Sequence, residues 1–216
     1  MKKRVLLLAV SCKNGGLCPG GIDMDNPREW IRIVKDDGCA GAVQGHEIDF
    51  AKPLDVIEFD GRPMPQGKQR ENWVIDNHSC RIVETKDMSV LKDVFRQYGY
   101  HGFWGNYRSS LNESEFEAIT VPSESILLVT NVKVYMNEND KAKIDFEWGG
   151  SLYPIKWIAM TDQEYYPRIN SGETINIEKA LIVISIPKEC DYIVPQTGER
   201  KAFKFVSKIF PLPIQG

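Results

Sequence analysis

A mainly β fold, two small barrels or sandwiches in tandem with one short helix, follows from three features of the sequence. Short apolar runs end in glycine- and proline-rich connections, one stretch alternates apolar and charged residues cleanly, and only one segment has helical periodicity. The strand pattern restarts after Pro122. A chain of 216 residues therefore divides into two β-rich halves of about a hundred residues each, joined near 110–122.

The first strand is Val5 to Val10, a continuous apolar run that stops at Ser11-Cys-Lys-Asn-Gly-Gly. Six apolar residues are too few for the ~7–15 of a secretory signal core, so this start is expected to be folded protein. Gly15, Gly16, Pro19, Gly20 and Gly21 are expected to form a long connection to the next strand, Trp30 to Val34. Leu54 to Phe59, closed by Asp60-Gly61, and Asn72 to Ile75 follow. The helix has Leu91, Val94, Phe95 and Tyr98 on one face, with Asp87 or Ser89 to cap its start and Gly99 its end. In the second half, Ile126 to Val129 and Val132 to Met136 precede the alternation Ala142, Ile144, Phe146, Trp148. Asn137-Glu-Asn-Asp140 between them is hairpin-turn chemistry. Ile155 to Met160, Ala180 to Ile186 and Phe203 to Phe210 complete the set.

Apolar residues make up 42% of the chain, enough for a substantial core. With 27 Lys/Arg against 30 Asp/Glu, the net charge of −3 excludes a chain-wide cationic field of the kind that drives non-specific DNA binding. Any polyanion site must be local. Residues 1–35 hold seven basic against three acidic residues, a local +4, whereas residues 110–150 hold three against eight, a local −5. The amino-terminal half is the expected host. Five cysteines without paired short spacings fit a reducing, cytoplasmic setting, and no apolar run approaches the ~18 residues of a membrane span.

Two readings stand for each candidate site. Lys13 and the glycines after Ser11 can present backbone N–H groups and a cation to phosphate, or the glycines can simply turn the chain. Trp30 and Arg32, on one side of a strand, can stack a base and meet a phosphate, or form a core indole beside a structural ion pair. The aromatic run Tyr98, Tyr100, Phe103, Trp104, Tyr107 is either packing or a stacking platform. His46, His78 and His101 with Cys12, Cys18 or Cys80 match no standard zinc or nucleophile signature. Rossmann and P-loop glycines and an H-E-x-x-H helix are absent. The residues call for no metal and no cofactor.

Lys3 to Ser11, Lys13, Gly15-Gly16, Cys18, Gly21-Ile22-Asp23, Trp30-Ile-Arg32, Pro53-Leu-Asp-Val56 and Gln69 to Asp76 resemble the prokaryotic dual OB-containing domain family. Phe146 to Gly150, Thr161-Asp162, Val183-Ile-Ser185 and Phe203 to Val206 continue that resemblance in order. It implies two OB-like barrels, 1–115 and 116–216. It also implies nucleic-acid recognition, since OB barrels bind oligonucleotides on one sheet face and nearby loops; together with the local +4 and the Trp30/Arg32 pair, this makes single-stranded nucleic acid or a nucleotide the expected ligand of the amino-terminal barrel. The family's motif residues fall on Ser11, Lys13, Trp30, Arg32, Glu71 and Asn72. Leu17, Ile33 and Arg70 depart from the pattern, which has a basic residue at the first position and Pro at the other two. The expected function is thus non-catalytic binding. The alternatives are a protein-interaction module that binds no nucleic acid, or an enzyme with a Cys–His site.

Overall fold

The computed structural model describes residues 1–13, 16–26, 29–36, 41–48, 51–98, 103–149 and 151–213. The chain forms two compact units, residues 1–98 with 122–124, and residues 99–121 with 125–216.

In the first unit, β1 (Lys2–Lys13), β2 (Gly16–Asp23), β3 (Trp30–Val34), the single turn α1 (Gly45–Ile48), β4 (Asp55–Pro63), β5 (Asn72–Ile75), β6 (Arg81–Thr85) and α2 (Val90–Tyr98) follow in order. The sheet order is β1-β2-β3-β5-β4-β6, and a further β1–β4 pairing closes five of the strands into a ring. β3 and β5 run parallel while the other pairs are antiparallel. This order, with its single parallel pair, is the five-stranded Greek-key barrel expected of an OB fold. Alternation along each strand fills the barrel with Val5, Leu7, Ile31, Ile33, Ile57, Phe59 and Ile75. The opposite face of the same strands is also buried, at Leu6, Leu8, Ile22 and Trp30.

β2 occupies residues expected to form a loop. Its glycines serve a close cross-strand approach: a Cβ on Gly21 would lie 2.0 Å from the Leu6 carbonyl oxygen. Composition alone made this segment look like a turn.

The second unit holds β7 (Ser110–Asn112), α3 (Glu113–Glu117), β8 (Glu124–Met136), β9 (Ala142–Glu147), β10 (Ile155–Met160), α4 (Tyr166–Asn170), β11 (Ile175–Ser185), β12 (Tyr192–Ile193), β13 (Arg200–Phe203) and β14 (Phe205–Pro211). Only Glu124 of β8 is grouped with the first unit. Strands β10-β14-β11-β8-β9 close a barrel of the same connectivity, again with one parallel pair, β10 with β14. β12, β13 and β7 make a small separate sheet. The two apolar runs expected before the hairpin are one strand, β8, interrupted by a bulge at Thr130/Lys133 where Asn131 has φ 51°. The expected helix is α2; α1, α3 and α4 have four or five residues, too few for a periodic signal. α3 is fixed instead by a capping box, with Asn112 accepting from the Glu115 N–H and Glu115 from the Asn112 N–H.

The Lys204 side chain is fully buried and its ammonium donates to the carbonyl oxygens of Phe103 and Asn106 and to Asn106 Oδ1, each at 2.9 Å. It also lies 3.7 Å from the centre of the Phe103 ring. Burying an ammonium is tolerable because all three of its protons are directed at acceptors.

Candidate functional site

Strand register assembles a polar row on the outer face of the first barrel. Ala9 pairs with Gly20, Gly20 with Arg32, and Arg32 with Asn72, so these four residues stand side by side across β1, β2, β3 and β5. Ser11 pairs with Cys18 one row further along, and Ile22 with Trp30 on the other flank. The Arg32 N–H donates to the main-chain oxygen of Glu71 at 2.9 Å, which holds Glu71 beside the row.

Segment 122–124 lies over this row. Arg32 Nη2 is 3.1 Å from Glu124 Oε1 and donates to Ser123 Oγ at 3.2 Å, while Arg32 Nε is 3.9 Å from Glu71 Oε1. The Ser123 hydroxyl donates to Glu71 Oε1. A side chain at position 20 would occupy the seat of Glu124, because a Cβ there would lie 2.5 and 2.7 Å from its two oxygens. The glycine lets the carboxylate lie flat on the sheet beside the guanidinium.

One mostly covered guanidinium thus faces two buried carboxylates. Burial opposes the charge on Arg32, but Glu124, Glu71 and the Cys18 thiol outweigh it and hold Arg32 above its ordinary value. The Glu124 carboxyl is pushed up to about 7, chiefly by burial and secondarily by Glu71, against the pull of Arg32. Glu124 therefore takes up a proton near neutrality, because burial disfavours its charge more than Arg32 favours it. Among the described residues, several atoms of the cluster have no hydrogen-bond partner: Arg32 Nε, Glu71 Oε2, Glu124 Oε2 and both amide atoms of Asn72. Unpartnered buried polar atoms are costly, and five in one cluster are a concentration that packing alone does not explain.

Of the expected site residues, the fold brings Arg32, Glu71 and Asn72 together and places Ser11 and Trp30 in adjoining rows of the same face. Trp30 is only 2% exposed and Arg32 is ion-paired, the arrangement of a packed indole beside a buried salt bridge. The Lys13 side chain lies outside the described residues, as do Gly15, Cys39 and the segment 99–102 with His101. Leu17 and Ile33, at two positions that depart from the family pattern, pack with the barrel core, and Arg70 is exposed. In the aromatic run, Phe103 and Trp104 are core residues and Tyr107 is exposed, its ring centre 5.8 Å from that of Trp148.

Among the described residues, Cys12, Cys18, Cys80 and Cys190 form no disulfide. Burial pushes Cys80 up to about 11, away from the thiolate that a nucleophile requires. No group of three or more His, Cys, Asp or Glu among the described residues is gathered to hold a metal ion. No described helix is long and apolar enough to cross a membrane.

Sequence reasoning missed Ser123, Glu124 and the purpose of Gly20. The available signal was a Ser-Glu pair heading an otherwise apolar strand, where a carboxylate must be paired if the strand is buried.

No curated protein matches the chain. Among solved structures, the crystal structure of the tetrameric p202 HIN2 aligns over 99% of this chain and 92% of that one, at 13% identity and a TM-score of 0.35. The model of the dual OB-containing domain matches residues 3–209, a span that takes in both five-stranded barrels. On that match and this architecture, the chain belongs to the dual OB-containing domain family.

Proposed function

We propose that the protein is a non-catalytic binder of single-stranded nucleic acid or a nucleotide, and that the Arg32 cluster of the first barrel receives the edge of a nucleobase. The observation that carries this reading is the set of unpartnered buried atoms. Glu71 Oε2 and Asn72 Oδ1 are acceptors, Arg32 Nε and Asn72 Nδ2 are donors, and the Glu124 carboxyl, pushed up to about 7, can accept when ionised or donate when protonated. A phosphate offers acceptors only and would meet two carboxylates. A base edge carrying an amino group offers both donors and acceptors, and Asn is well suited to bidentate contact with one. Entry requires segment 122–124 to move, because Glu124 covers Gly20 and Ser123 bridges to Glu71. Phosphate contacts fall to cations around the cluster, with Lys13 and Arg70 the first candidates. Ser11 and Trp30 then shape the walls of the site.

Fluorescence anisotropy with short labelled single-stranded DNA and RNA, competed by free mononucleotides, tests the proposal. Wild-type binding in the micromolar range that weakens with salt is expected. Asn72→Leu, similar in volume but without an amide, should bind about tenfold more weakly. Equal binding by Asn72→Leu and wild type removes the Arg32 cluster from the binding site.

A further inference from the structure

The groups gathered over Gly20 and Arg32 are unequal in charge, with two acids set against one cation. Glu124 is acted on by Arg32 of β3 and by Glu71, which precedes β5, while the Cys18 thiol of β2 acts on Arg32. Gly20 of β2 contributes no side chain, and Asn72 of β5 contributes an uncharged amide. With both carboxyls ionised, one negative charge is left in excess where little water reaches, which is costly. Two routes relieve that cost. A proton on Glu124 makes the set neutral, and its Oε1 still faces Arg32 Nη2 at 3.1 Å. Otherwise the ionised carboxylate gains by leaving the sheet for water.

The seat that Glu124 would leave is a glycine gap rather than a packed pocket, since a Cβ on Gly20 would meet both of its carboxylate oxygens. Its polar fastenings come from two neighbouring side chains. Glu124 faces Arg32, while the Ser123 hydroxyl accepts from Arg32 Nη2 and donates to Glu71. These fastenings leave the atoms beneath them incomplete. With Ser123 and Glu124 in place, Arg32 Nε, Glu71 Oε2 and both amide atoms of Asn72 have no hydrogen-bond partner among the described residues. The segment thus shields a polar surface that it does not satisfy, which is how a removable cover differs from a structural partner.

We infer that Ser123 and Glu124 form a proton-controlled plug, which holds the Arg32 row closed in acid and yields it to a ligand as pH rises through neutrality. This regulation rests on the reading of the row as the binding site. On the sheet the Glu124 carboxyl is pushed up to about 7, against an ordinary value of 4.5. Closure therefore takes up a proton: it is fully favoured below pH ~4.5 and progressively less so as pH rises through ~7. Between pH 5.5 and 8 the closed-to-open ratio should fall about 25-fold, and the apparent affinity of a ligand that needs the open state should rise by up to that factor. Polyanion binding ordinarily strengthens in acid, where histidines gain charge, so the plug predicts the reverse of the usual trend.

Hydrogen exchange read by mass spectrometry at pH 6 and 8, corrected for intrinsic exchange rates, tests the plug without any ligand. In the wild-type protein the main-chain amides of Ser123 and Glu124 should open more readily than those of β4, which report unfolding of the whole barrel. They should also open about tenfold more at pH 8 than at pH 6. Glu124→Gln, which cannot ionise, should show no such change, and Ser123→Ala should open more at both values. Anisotropy of short labelled single-stranded DNA and RNA then tests the ligand: wild-type affinity should be higher at pH 8 than at pH 5.5 by up to about 25-fold, and that of Glu124→Gln should not change. Exchange at 123–124 that only follows β4, equal wild-type opening at the two pH values, or the same pH response in Glu124→Gln overturns the inference. So does oligonucleotide affinity that is unchanged or higher in acid. The expected exchange with no binding of either oligonucleotide at either pH supports the plug and overturns nucleic acid as its ligand.

Discussion

Replacing Glu124 by Gln should flatten the pH dependence of the protein's stability. The carboxyl titrates at about 7 in the folded chain against an ordinary value of 4.5, because burial and Glu71 disfavour its charge more than Arg32 favours it. A carboxyl that holds its proton more tightly when folded contributes stability that is complete below pH ~4.5 and is lost as pH rises through ~7. At about 1.4 kcal/mol per pH unit, the full span corresponds to about 3 kcal/mol, a ceiling because denatured chains retain structure. Glutamine keeps the shape and an acceptor for Arg32 Nη2, leaves Arg32 balanced by Glu71 alone, and cannot titrate. Urea unfolding followed by tryptophan fluorescence at pH 5, 6, 7 and 8 reads the effect. The wild-type protein should lose stability relative to Glu124→Gln as pH increases, by about 1–3 kcal/mol between pH 5 and 8. Parallel curves for the two proteins would refute the claim that Glu124 is held protonated by its site.

Other consequences are simpler to check. Gly21→Ala brings a Cβ against the Leu6 backbone and should prevent the first barrel from forming, whereas Gly20→Ala meets only the Glu124 carboxylate and should cost about 1–3 kcal/mol by displacing it; chemical denaturation of both variants would expose the error if they were equally stable. Asn72→Leu, which replaces two unpartnered amide atoms by carbon, should stabilise the protein by about 1 kcal/mol even as it weakens binding; a loss of stability would mean that the amide is satisfied within the fold. Lys204→Met leaves the oxygens of Phe103 and Asn106 without their donor and should lower the melting temperature by roughly 4–8 °C for a cost of about 2 kcal/mol. A drop of less than about 1 °C would show that these contacts contribute little.

Much of the barrel architecture was legible because apolar runs and alternation carry it. Asn72–Ile75 and Ile155–Met160 were recognised from end to end, and the hairpin at 137–141 from its turn residues, with Asn137 Oδ1 accepting from the N–H groups of Asn139 and Lys141. β2 was not, because what places glycine there is the approach of another strand, a tertiary fact with no local signature. β6 escaped because all five of its residues are exposed and no face is selected for apolarity. At the site, strand alternation correctly put Trp30 and Arg32 on one side, and the family resemblance added Glu71 and Asn72. The partners that decide the chemistry, Ser123 and Glu124, lie 91 and 92 positions from Arg32. Composition marked 110–150 as acidic without revealing that one of those acids is buried against a cation of the first barrel.

The grouping of residues 122–124 with a unit that otherwise ends at 98 has a consequence for how the protein is made. Synthesis runs from the amino terminus, so every strand of the first barrel leaves the ribosome before Ser123 and Glu124 do. Until then Arg32 lacks Glu124, and Glu71 lacks the Ser123 hydroxyl. The nascent barrel can close on its apolar interior, yet its outer row is completed only after a further 26 residues have been added. A fragment cut at 98 would repeat that unfinished state permanently, whereas one carried through Glu124 would contain every group of the cluster.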